Sequence, residues 1–259
     1  MSLLVIGCGK MGGALVSRWA EDTELEITVA DPTLTAAPAS VKFVQSASEL
    51  IDQSFDHALI AVKPQMIAEV IPSYLPYINP EACVFSIAAG FSIESLTQII
   101  GQRPIVRMMP NLPAEIGKGV TGYYGNALCS AQHIELARVL TESIGMSVRV
   151  ETEHDIDKVT AVAGSGPGYA FEIIRCWMKA ADSIGLPAET TREIVLATLG
   201  GAVDLAGAKT ESLEELRNAV TSPNGTTAAG LAELRRNDAF EQLIQSTIDA
   251  ALARAIELR

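Results

Sequence analysis

The sequence predicts an α/β protein with an N-terminal doubly wound, mainly parallel sheet and a C-terminal all-helical region. Through roughly the first 150 residues, short apolar runs alternate with helical patterns, which is typical of βαβ units. Near 151–155 the strand pattern ends, and only helical periodicity continues. We therefore expect two domains, residues 1–152 and residues 153–259.

Apolar runs with the length of buried strands mark the N-terminal half. A helical pattern begins directly after the first run, as a crossover connection between parallel strands requires. The predicted strands cover residues 3–7, 26–31, 57–62, 83–88, 104–110 and 147–151.

Helix end signals divide the C-terminal half. Gly185 ends one predicted helix, Ser212 and Glu215 form a capping box at the start of another, and residues 240–256 repeat apolar side chains at i, i+3 and i+4 spacing. The stretch "VTSPNGTTAAGLAEL" (220–234) interrupts this helical half. We expect one helix to end near its beginning and another to start within it.

Composition favours a small-molecule ligand over a macromolecular one. The chain has 259 residues, 48% of them hydrophobic, and a formal charge of −12, so it would repel nucleic acids and anionic membranes. No stretch approaches the roughly 20 apolar residues of a membrane span. We expect a globular protein that binds neither partner.

The cysteines and histidines favour a cytoplasmic protein without a metal centre. The four cysteines are far apart, and the opening "MSLLVIG" has no secretory signal, so we expect a reducing compartment and free thiols. His57, His133 and His154 are scattered singly. We interpret them as solvated surface side chains rather than as metal ligands or bases.

A glycine motif follows the first predicted strand. In "IGCGKMGGAL", Gly7, Gly9 and Gly12 form GxGxxG between a strand and a helix, the arrangement that binds a dinucleotide pyrophosphate in Rossmann-type domains. Asp31, at the end of the second strand, can bind the adenosine ribose hydroxyls. The alternative is a glycine-rich turn without a ligand.

Asp31 also bears on the choice of cofactor. A carboxylate repels a 2′-phosphate, and "DPTLTAAP" offers no Arg or Lys to receive one, so this segment favours NADH over NADPH. The alternative is that Asp31 only caps a turn before Pro32.

Three more loops are expected at the carboxyl edge of the sheet, at residues 61–65, 86–92 and 107–113, where ligands bind in open α/β folds. Lys63 is either a cofactor contact or a solvated side chain. The candidate cofactor-binding residues are Ile6, Gly7, Cys8, Gly9, Lys10, Met11, Gly12, Asp31, Ala61, Val62, Lys63, Pro64, Ala88, Ala89 and Gly90.

These motifs, with "VRMMPNLP", "AVAGSGPGYAFEII" and "VTSPNGTTAAGLAEL", resemble the Δ1-pyrroline-5-carboxylate reductases, which reduce a cyclic imine to L-proline. The resemblance covers the whole chain. It implies a Rossmann domain that binds NAD(P)H and a helical domain that binds substrate. It also implies a homodimer with interwoven helical domains, which in turn builds higher homo-oligomers such as a decamer. The family often prefers NADPH, which opposes the inference from Asp31.

The interrupted stretch is the expected substrate site. By resemblance, the Thr227 hydroxyl meets the imine nitrogen, and Ser222, Asn224, Gly225 and Thr226 surround the substrate with it. The residues themselves agree, because a helix starting near Thr227 offers free amides to a carboxylate. The alternative is that Thr226 or Thr227 is only an N-cap. The "GSGPG" turn has the same ambiguity between a ligand contact and an ordinary helix start.

Two other functions remain open at this point. One is a different two-domain imine or β-hydroxyacid reductase; the latter class usually relies on a catalytic lysine, and Lys158 and Lys179 are the candidates here. The other is a non-catalytic NAD(P)-binding regulator. The sequence also departs from the family pattern at Leu112, Gly168 and Asn224, none of which supplies an essential chemical group.

Overall fold

A computed structural model describes residues 1–36 and 40–259. Within these residues the N-terminal half forms one eight-stranded sheet. The strands are β1 Ser2–Ile6, β2 Glu26–Ala30, β3 Lys42–Val44, β4 Phe55–Ile60, β5 Ile78–Ser86, β6 Ile105–Met109, β7 Gly119–Gly125 and β8 Gly145–Arg149.

The sheet has the order β3-β2-β1-β4-β5-β6-β7-β8. The strands from β3 to β6 in this order are parallel, β7 pairs antiparallel with β6, and β8 is parallel to β7. This arrangement confirms the predicted doubly wound, mainly parallel sheet. Two strands were not predicted: β3 is only three residues long, and β7 contains three glycines, which are poor strand formers.

Helices connect the strands and make up the C-terminal half. Gly185 adopts φ +94° after a helix end, and the capping box of Ser212 and Glu215 is present, as predicted. The helices are α1 Lys10–Asp22, α2 Ile67–Val70, α3 Ile93–Ile100, α4 Ala131–Glu142, α5 Glu153–Val159, α6 Gly166–Ser183, α7 Ala188–Ala208, α8 Leu213–Ala219, α9 Thr226–Leu234 and α10 Ala239–Leu258.

Each face of the sheet has its own apolar core. Alternate residues of β1 belong to different clusters, Leu3 to one and Leu4 to the other, because successive strand side chains point to opposite faces. Trp19 of α1 is fully buried in the first cluster and donates to the Leu140 carbonyl at 2.9 Å. Leu96 of α3 is buried in the second. Helices therefore cover both faces.

One histidine corrects the sequence interpretation. His57 lies on β4 and is only 9% exposed, so the prediction of a solvated surface histidine is wrong for this residue. Its ring packs edge-on against Phe85 at a centroid distance of 5.9 Å. His57 begins the predicted strand 57–62, but its interpretation rested on its polar and charged neighbours in the sequence rather than on the burial of that strand.

The chain divides into two compact units, and the first is discontinuous in sequence. It comprises Met1–Pro167 and Ala250–Arg259. The end of α10 lies against this unit, since Arg259 Nη1 is 3.2 Å from Asp157 Oδ2. The predicted functional division between residues 152 and 153 is a separate matter, and it stays a prediction.

The second unit, Gly168–Asp249, consists of helices that leave large apolar side chains uncovered. Trp177 is 45% exposed, Val203 69% and Leu243 61%. Exposed apolar surface on this scale marks an interaction face in a stable protein. No described helix is both long and apolar enough to cross a membrane.

Candidate active site

Loops at the carboxyl ends of β1, β2, β4 and β5 meet at one edge of the sheet. Backbone hydrogen bonds beyond the strand ends hold them together: Gly7 N–H donates to Ala30 O at 2.9 Å, and Ala61 N–H donates to Ile6 O at 2.8 Å. The structure thus brings the sequence-predicted cofactor residues to a common edge, which is the usual ligand position in such folds.

The glycine loop is shaped for a close backbone approach. Gly7 has φ +94°, and a Cβ there would lie 2.8 Å from Val62 N, so only glycine fits. A Cβ on Gly12 would lie 2.9 Å from Gly7 O, whereas Gly9 has open space around it. Gly9 is the N-cap of α1 and provides no side-chain cap, which leaves the first-turn amides for an anion. These residues fit a dinucleotide pyrophosphate.

The Asp31 carboxylate anchors this loop. Its Oδ2 accepts a hydrogen bond from Cys8 N–H at 2.7 Å, and its Oδ1 accepts from Thr33 N–H at 2.8 Å and Thr33 Oγ1 at 2.7 Å. Burial works to raise the pKa of Asp31, but these hydrogen bonds outweigh it and the pKa is lowered. Asp31 therefore caps its turn, as the alternative interpretation held, and it also fixes the glycine loop.

The ribose role of Asp31 stays a prediction. Oδ2 accepts only one of these hydrogen bonds, and a carboxylate oxygen can accept two, so a ribose hydroxyl has an acceptor. The end of "DPTLTAAP", residues 37 and 38, lies outside the described residues.

The other two loops differ in exposure. Lys63 is exposed and precedes the short helical turn Pro64–Met66, so the two interpretations of this lysine both stand. Ala88 is buried and Ala89 exposed. Gly90 has φ +67°, and a Cβ there would lie 2.7 Å from Leu258 Cβ and 2.7 Å from its carbonyl oxygen. The end of α10 therefore packs directly on this loop.

The remaining cofactor candidates lie at the same edge. Ile6 is the buried last residue of β1, and Met11 is half-buried in the first turn of α1. Lys10 is exposed, with its Nζ 4.0 Å from Glu115 Oε1. Ile6 is thus positioned to contribute through its backbone, whereas the Lys10 side chain is accessible to a phosphate.

Two supporting interactions were not predicted. Arg107 of β6, only 2% exposed, pairs with Glu153 at 2.7 Å, and the same Glu153 oxygen accepts from Ile93 N–H at 2.8 Å. The available signal was a single arginine inside the apolar run "PIVRMMP", since a buried charge requires a counter-ion.

Asn111 fixes the segment that precedes the "GSGPG" turn. Its Nδ2 donates to Ala163 O at 3.0 Å, and its Oδ1 accepts from Val120 N–H at 2.8 Å. Ala163 lies within Thr160–Gly164, one turn of π-helix, a local distortion that is frequent at functional sites. Asn111 belongs to the motif "VRMMPNLP", but only the fold reveals its two partners.

The predicted substrate residues form one exposed loop and helix start. Asn224 has φ +57°, and Gly225 N–H donates to Ser222 O at 3.0 Å, which closes a turn of the kind that requires a positive φ at its third residue. Gly225 is the N-cap of α9, so Thr226 and Thr227 are its first two residues. Neither threonine is the N-cap, and both side chains are exposed. The free amides and two hydroxyls together suit a carboxylate.

Two protein-family models match the chain. The model described as pyrroline-5-carboxylate reductase dimerisation matches residues 153–258. The model described as NADP oxidoreductase, coenzyme F420-dependent, matches residues 2–90, which include the glycine loop and the other cofactor candidates. The dimerisation match indicates a homo-oligomer.

Characterised proteins and solved structures agree with these matches. The chain is 36% identical to pyrroline-5-carboxylate reductase of Pseudomonas aeruginosa, over 98% of this chain and 95% of that protein. It is 38% identical to pyrroline-5-carboxylate reductase 2 of Bacillus subtilis, over 79% of this chain and 73% of that protein.

The structure of the reductase from Streptococcus pyogenes superposes with a TM-score of 0.86 at 32% identity, covering 99% of this chain and 98% of that one. The Plasmodium falciparum pyrroline carboxylate reductase with NADP bound gives a TM-score of 0.88 at 27% identity, and the match covers 100% of this chain and 98% of that one. The chain belongs to the pyrroline-5-carboxylate reductase family.

Proposed function

We propose that this protein is an NAD(P)H-dependent pyrroline-5-carboxylate reductase, which reduces the C=N bond of Δ1-pyrroline-5-carboxylate to give L-proline, the last step of proline biosynthesis. The observation that carries the proposal is the start of α9, where an exposed turn presents free amides and two adjacent hydroxyls. A substrate with a carboxylate beside an imine nitrogen matches both kinds of group.

The reaction demands orientation more than acid–base chemistry. Bound NAD(P)H supplies a hydride to the imine carbon, and a protonated iminium is already electrophilic. The chain must therefore hold the substrate carboxylate and align its ring. Ser222, Asn224, Gly225 and Thr226 do this with backbone N–H groups and polar side chains, while the Thr227 hydroxyl orients the imine nitrogen and donates a hydrogen bond as the amine forms.

The cofactor binds at the carboxyl edge of the sheet. Amides of the glycine loop and the N-terminus of α1 hold the pyrophosphate, the loop at 61–64 borders the nucleotide, and the small residues Ala88, Ala89 and Gly90 leave room for the nicotinamide half. Asp31 favours NADH through its negative charge, whereas the family resemblance favours NADPH. Kinetics with both cofactors decides between them.

Residues 153–259 act as the substrate-binding and dimerisation domain, and residues 1–152 bind the dinucleotide. Exposed apolar side chains such as Phe171, Trp177 and Leu205 support a homodimer whose helical domains interweave. Higher assemblies, such as a decamer, are built from these dimers in the cytoplasm.

The hydroxyacid reductase alternative receives less support. Such an enzyme needs a free catalytic lysine, but Lys158 Nζ lies 2.6 Å from Asp155 Oδ1 in an ion pair on α5. Lys179 lies in the last turns of α6, in no recognisable motif. A non-catalytic regulator would not need the substrate loop.

The decisive experiment follows NADH and NADPH oxidation with pyrroline-5-carboxylate. We expect turnover with at least one cofactor, and Thr227→Ala should lower kcat about 100-fold while cofactor KM changes less than about twofold. Ala favours a helix slightly more than Thr does, so the thermal midpoint should not fall. Failure of the wild type to oxidise either cofactor sinks the proposal; unchanged kcat in Thr227→Ala removes the role of the hydroxyl.

A further inference from the structure

A cluster of potential metal ligands lies away from the carboxyl edge of the sheet, which is called the cofactor edge below because the cofactor candidates lie there. The ligand atoms of Cys83, Cys129 and His133 all lie within 4.8 Å of one another. In tetrahedral zinc sites the metal–ligand bonds imply ligand separations of roughly 3.5–3.8 Å. Small side-chain rotations would therefore bring the three groups to bonding distance of one ion.

The fold positions these residues independently of one another. Cys83 lies on the central strand β5 and is buried. Cys129 lies in the turn before α4, where its thiol donates to Ile105 O at 3.3 Å. A Cβ on Gly125 would lie 3.1 Å from Cys129 Sγ, so the missing side chain makes space for the sulfur. His133 lies in the first turn of α4. The three residues therefore converge from separate elements.

His57 lies beside this group, outside the set of ligand atoms within 4.8 Å of one another, and gives an independent indication of a missing partner. It is paired in register with Cys83 across β4 and β5, and its ring meets the His133 ring edge-on at a centroid distance of 6.0 Å. His57 Nδ1 is buried without a hydrogen-bond partner among the described residues. A buried polar nitrogen without a partner is costly, and a metal ion would satisfy it.

A cavity borders the two histidines. It has a volume of about 620 Å³, and both histidines line it together with Met1, Gln132 and Val139. Cys83 precedes Ala88 of the cofactor edge by five positions, or about 16 Å of extended chain. The cavity therefore lies apart from the proposed cofactor site.

The ligand chemistry selects the ion. Thiolates and imidazoles favour zinc over magnesium or calcium. Two thiolates and two neutral imidazoles around Zn²⁺ give zero net charge, which suits a buried position, whereas Cu⁺ would leave a net charge of −1. Zinc binds the thiolate form, so the ion must displace the proton of each thiol when it binds.

We propose that Cys83, Cys129 and His133, with His57 as the fourth ligand, form a zinc-binding site at this cavity. The sequence alone led us to expect no metal site, although "CSAQH" places Cys129 and His133 four positions apart. One local bond must be given up. His133 Nδ1 accepts from Ser130 N–H at 3.2 Å, and a neutral imidazole has one acceptor nitrogen. The hydrogen bond from His133 N–H to Ser130 Oγ at 3.3 Å can stay.

The test uses the full chain, reduced and stripped of metal with a chelator. Zinc is titrated against a chromophoric competitor, and Co²⁺ is added separately to look for thiolate-to-metal charge-transfer absorption. We expect about one ion per chain, a cobalt–thiolate band and a higher thermal midpoint with zinc. Cys176→Ser is the matched control, because that thiol is exposed in the second unit; it should behave like the wild type.

Cys129→Ser should abolish the cobalt–thiolate band or strongly weaken it. Its zinc affinity should fall at least roughly 100-fold, because even residues that only support a metal ligand are worth 10–100-fold. His133→Gln, at a partly exposed position, should show the same loss and keeps the test valid if the serine variant does not fold. Zinc affinity that is absent in the wild type, or unchanged in both variants, overturns the proposal.

Discussion

Replacing Asp31 by asparagine separates two consequences of one carboxylate. Asp31 accepts three hydrogen bonds, at 2.7, 2.8 and 2.7 Å, whereas the single amide oxygen of Asn can accept on one side only. If that oxygen keeps the two Thr33 bonds, the amide NH₂ faces Cys8 N–H, donor against donor. A hydrogen bond to a charged group contributes about 1.5–3 kcal/mol. We therefore expect a loss of about 2 kcal/mol in the free energy of unfolding, measured by urea denaturation.

The same substitution removes the charge expected to repel a 2′-phosphate. Looser glycine-loop amides should raise KM for both cofactors, but the ratio of kcat/KM for NADPH to that for NADH should rise about tenfold, which corresponds to about 1.4 kcal/mol. Thr33→Ala is the control, since it removes one hydrogen bond to Asp31 and keeps the charge. It should cost about 1 kcal/mol and leave the cofactor ratio unchanged.

The pH dependence provides a further check on Asp31. Hydrogen bonding lowers the pKa of Asp31 in the folded state, so its stabilisation is complete above the unfolded value of about 3.9 and disappears as pH falls through the folded value. The stability difference between wild type and Asp31→Asn should shrink over that range. An Asn variant that unfolds at the wild-type urea concentration would falsify the anchoring role, and an unchanged cofactor ratio would refute the charge argument.

Three more perturbations follow from the same structure. Glu153→Gln leaves Arg107 buried without its counter-ion and should lower the free energy of unfolding, measured by urea denaturation, by about 2 kcal/mol. This is less than the roughly 3–5 kcal/mol of a fully buried pair, because Glu153 is 24% exposed. Glu135→Gln, the control in an exposed pair, should leave the urea midpoint unchanged. Gly90→Ala should lower thermal stability and cofactor affinity more than Gly101→Ala does. Gly101 is the control because it has a similar positive φ but open space around it. Equal effects of the two substitutions would exclude crowding by Leu258. Burial lowers the pKa of His57, so the metal-free wild type should lose stability as pH falls below about 6.5, where the unfolded chain binds the proton more readily. His57→Phe should lose less stability over the same range. Parallel curves of stability against pH for the two proteins would contradict this.

Local patterns predicted most of the fold because the parallel sheet is regular. Buried segments such as β1 and the end of β4 read as continuous apolar runs, and the capping box at Ser212 marks a helix start by itself. β7 was missed for a physical reason. Its glycines remove the strand signal, yet Gly122 must lack a side chain because Val159 of α5 packs on it, 2.8 Å from the position of a Cβ.

The candidate site was predictable where it consists of backbone. Glycines and helix starts are visible in sequence, so the loops at Gly7 and Gly225 were found. Side-chain partnerships were not visible, because Arg107 and Glu153 are 46 positions apart in the sequence, as are Cys83 and Cys129, and each pair meets only in the folded chain. The dual hydrogen bonding of Asp31 also depends on how the glycine loop turns back onto β2.

The return of α10 to the first unit affects how the chain is made. The ribosome adds about 5–20 residues per second, so residues 168–249 take several seconds to synthesise before residues 250–259 exist. During that interval the Gly90 loop lacks the cover of Leu258, and the buried Asp157 lacks its Arg259 partner. Most of the first unit is therefore synthesised early, but its folding cannot be completed until the second unit has also been synthesised. A stalled or shortened nascent chain would leave the cofactor edge incomplete.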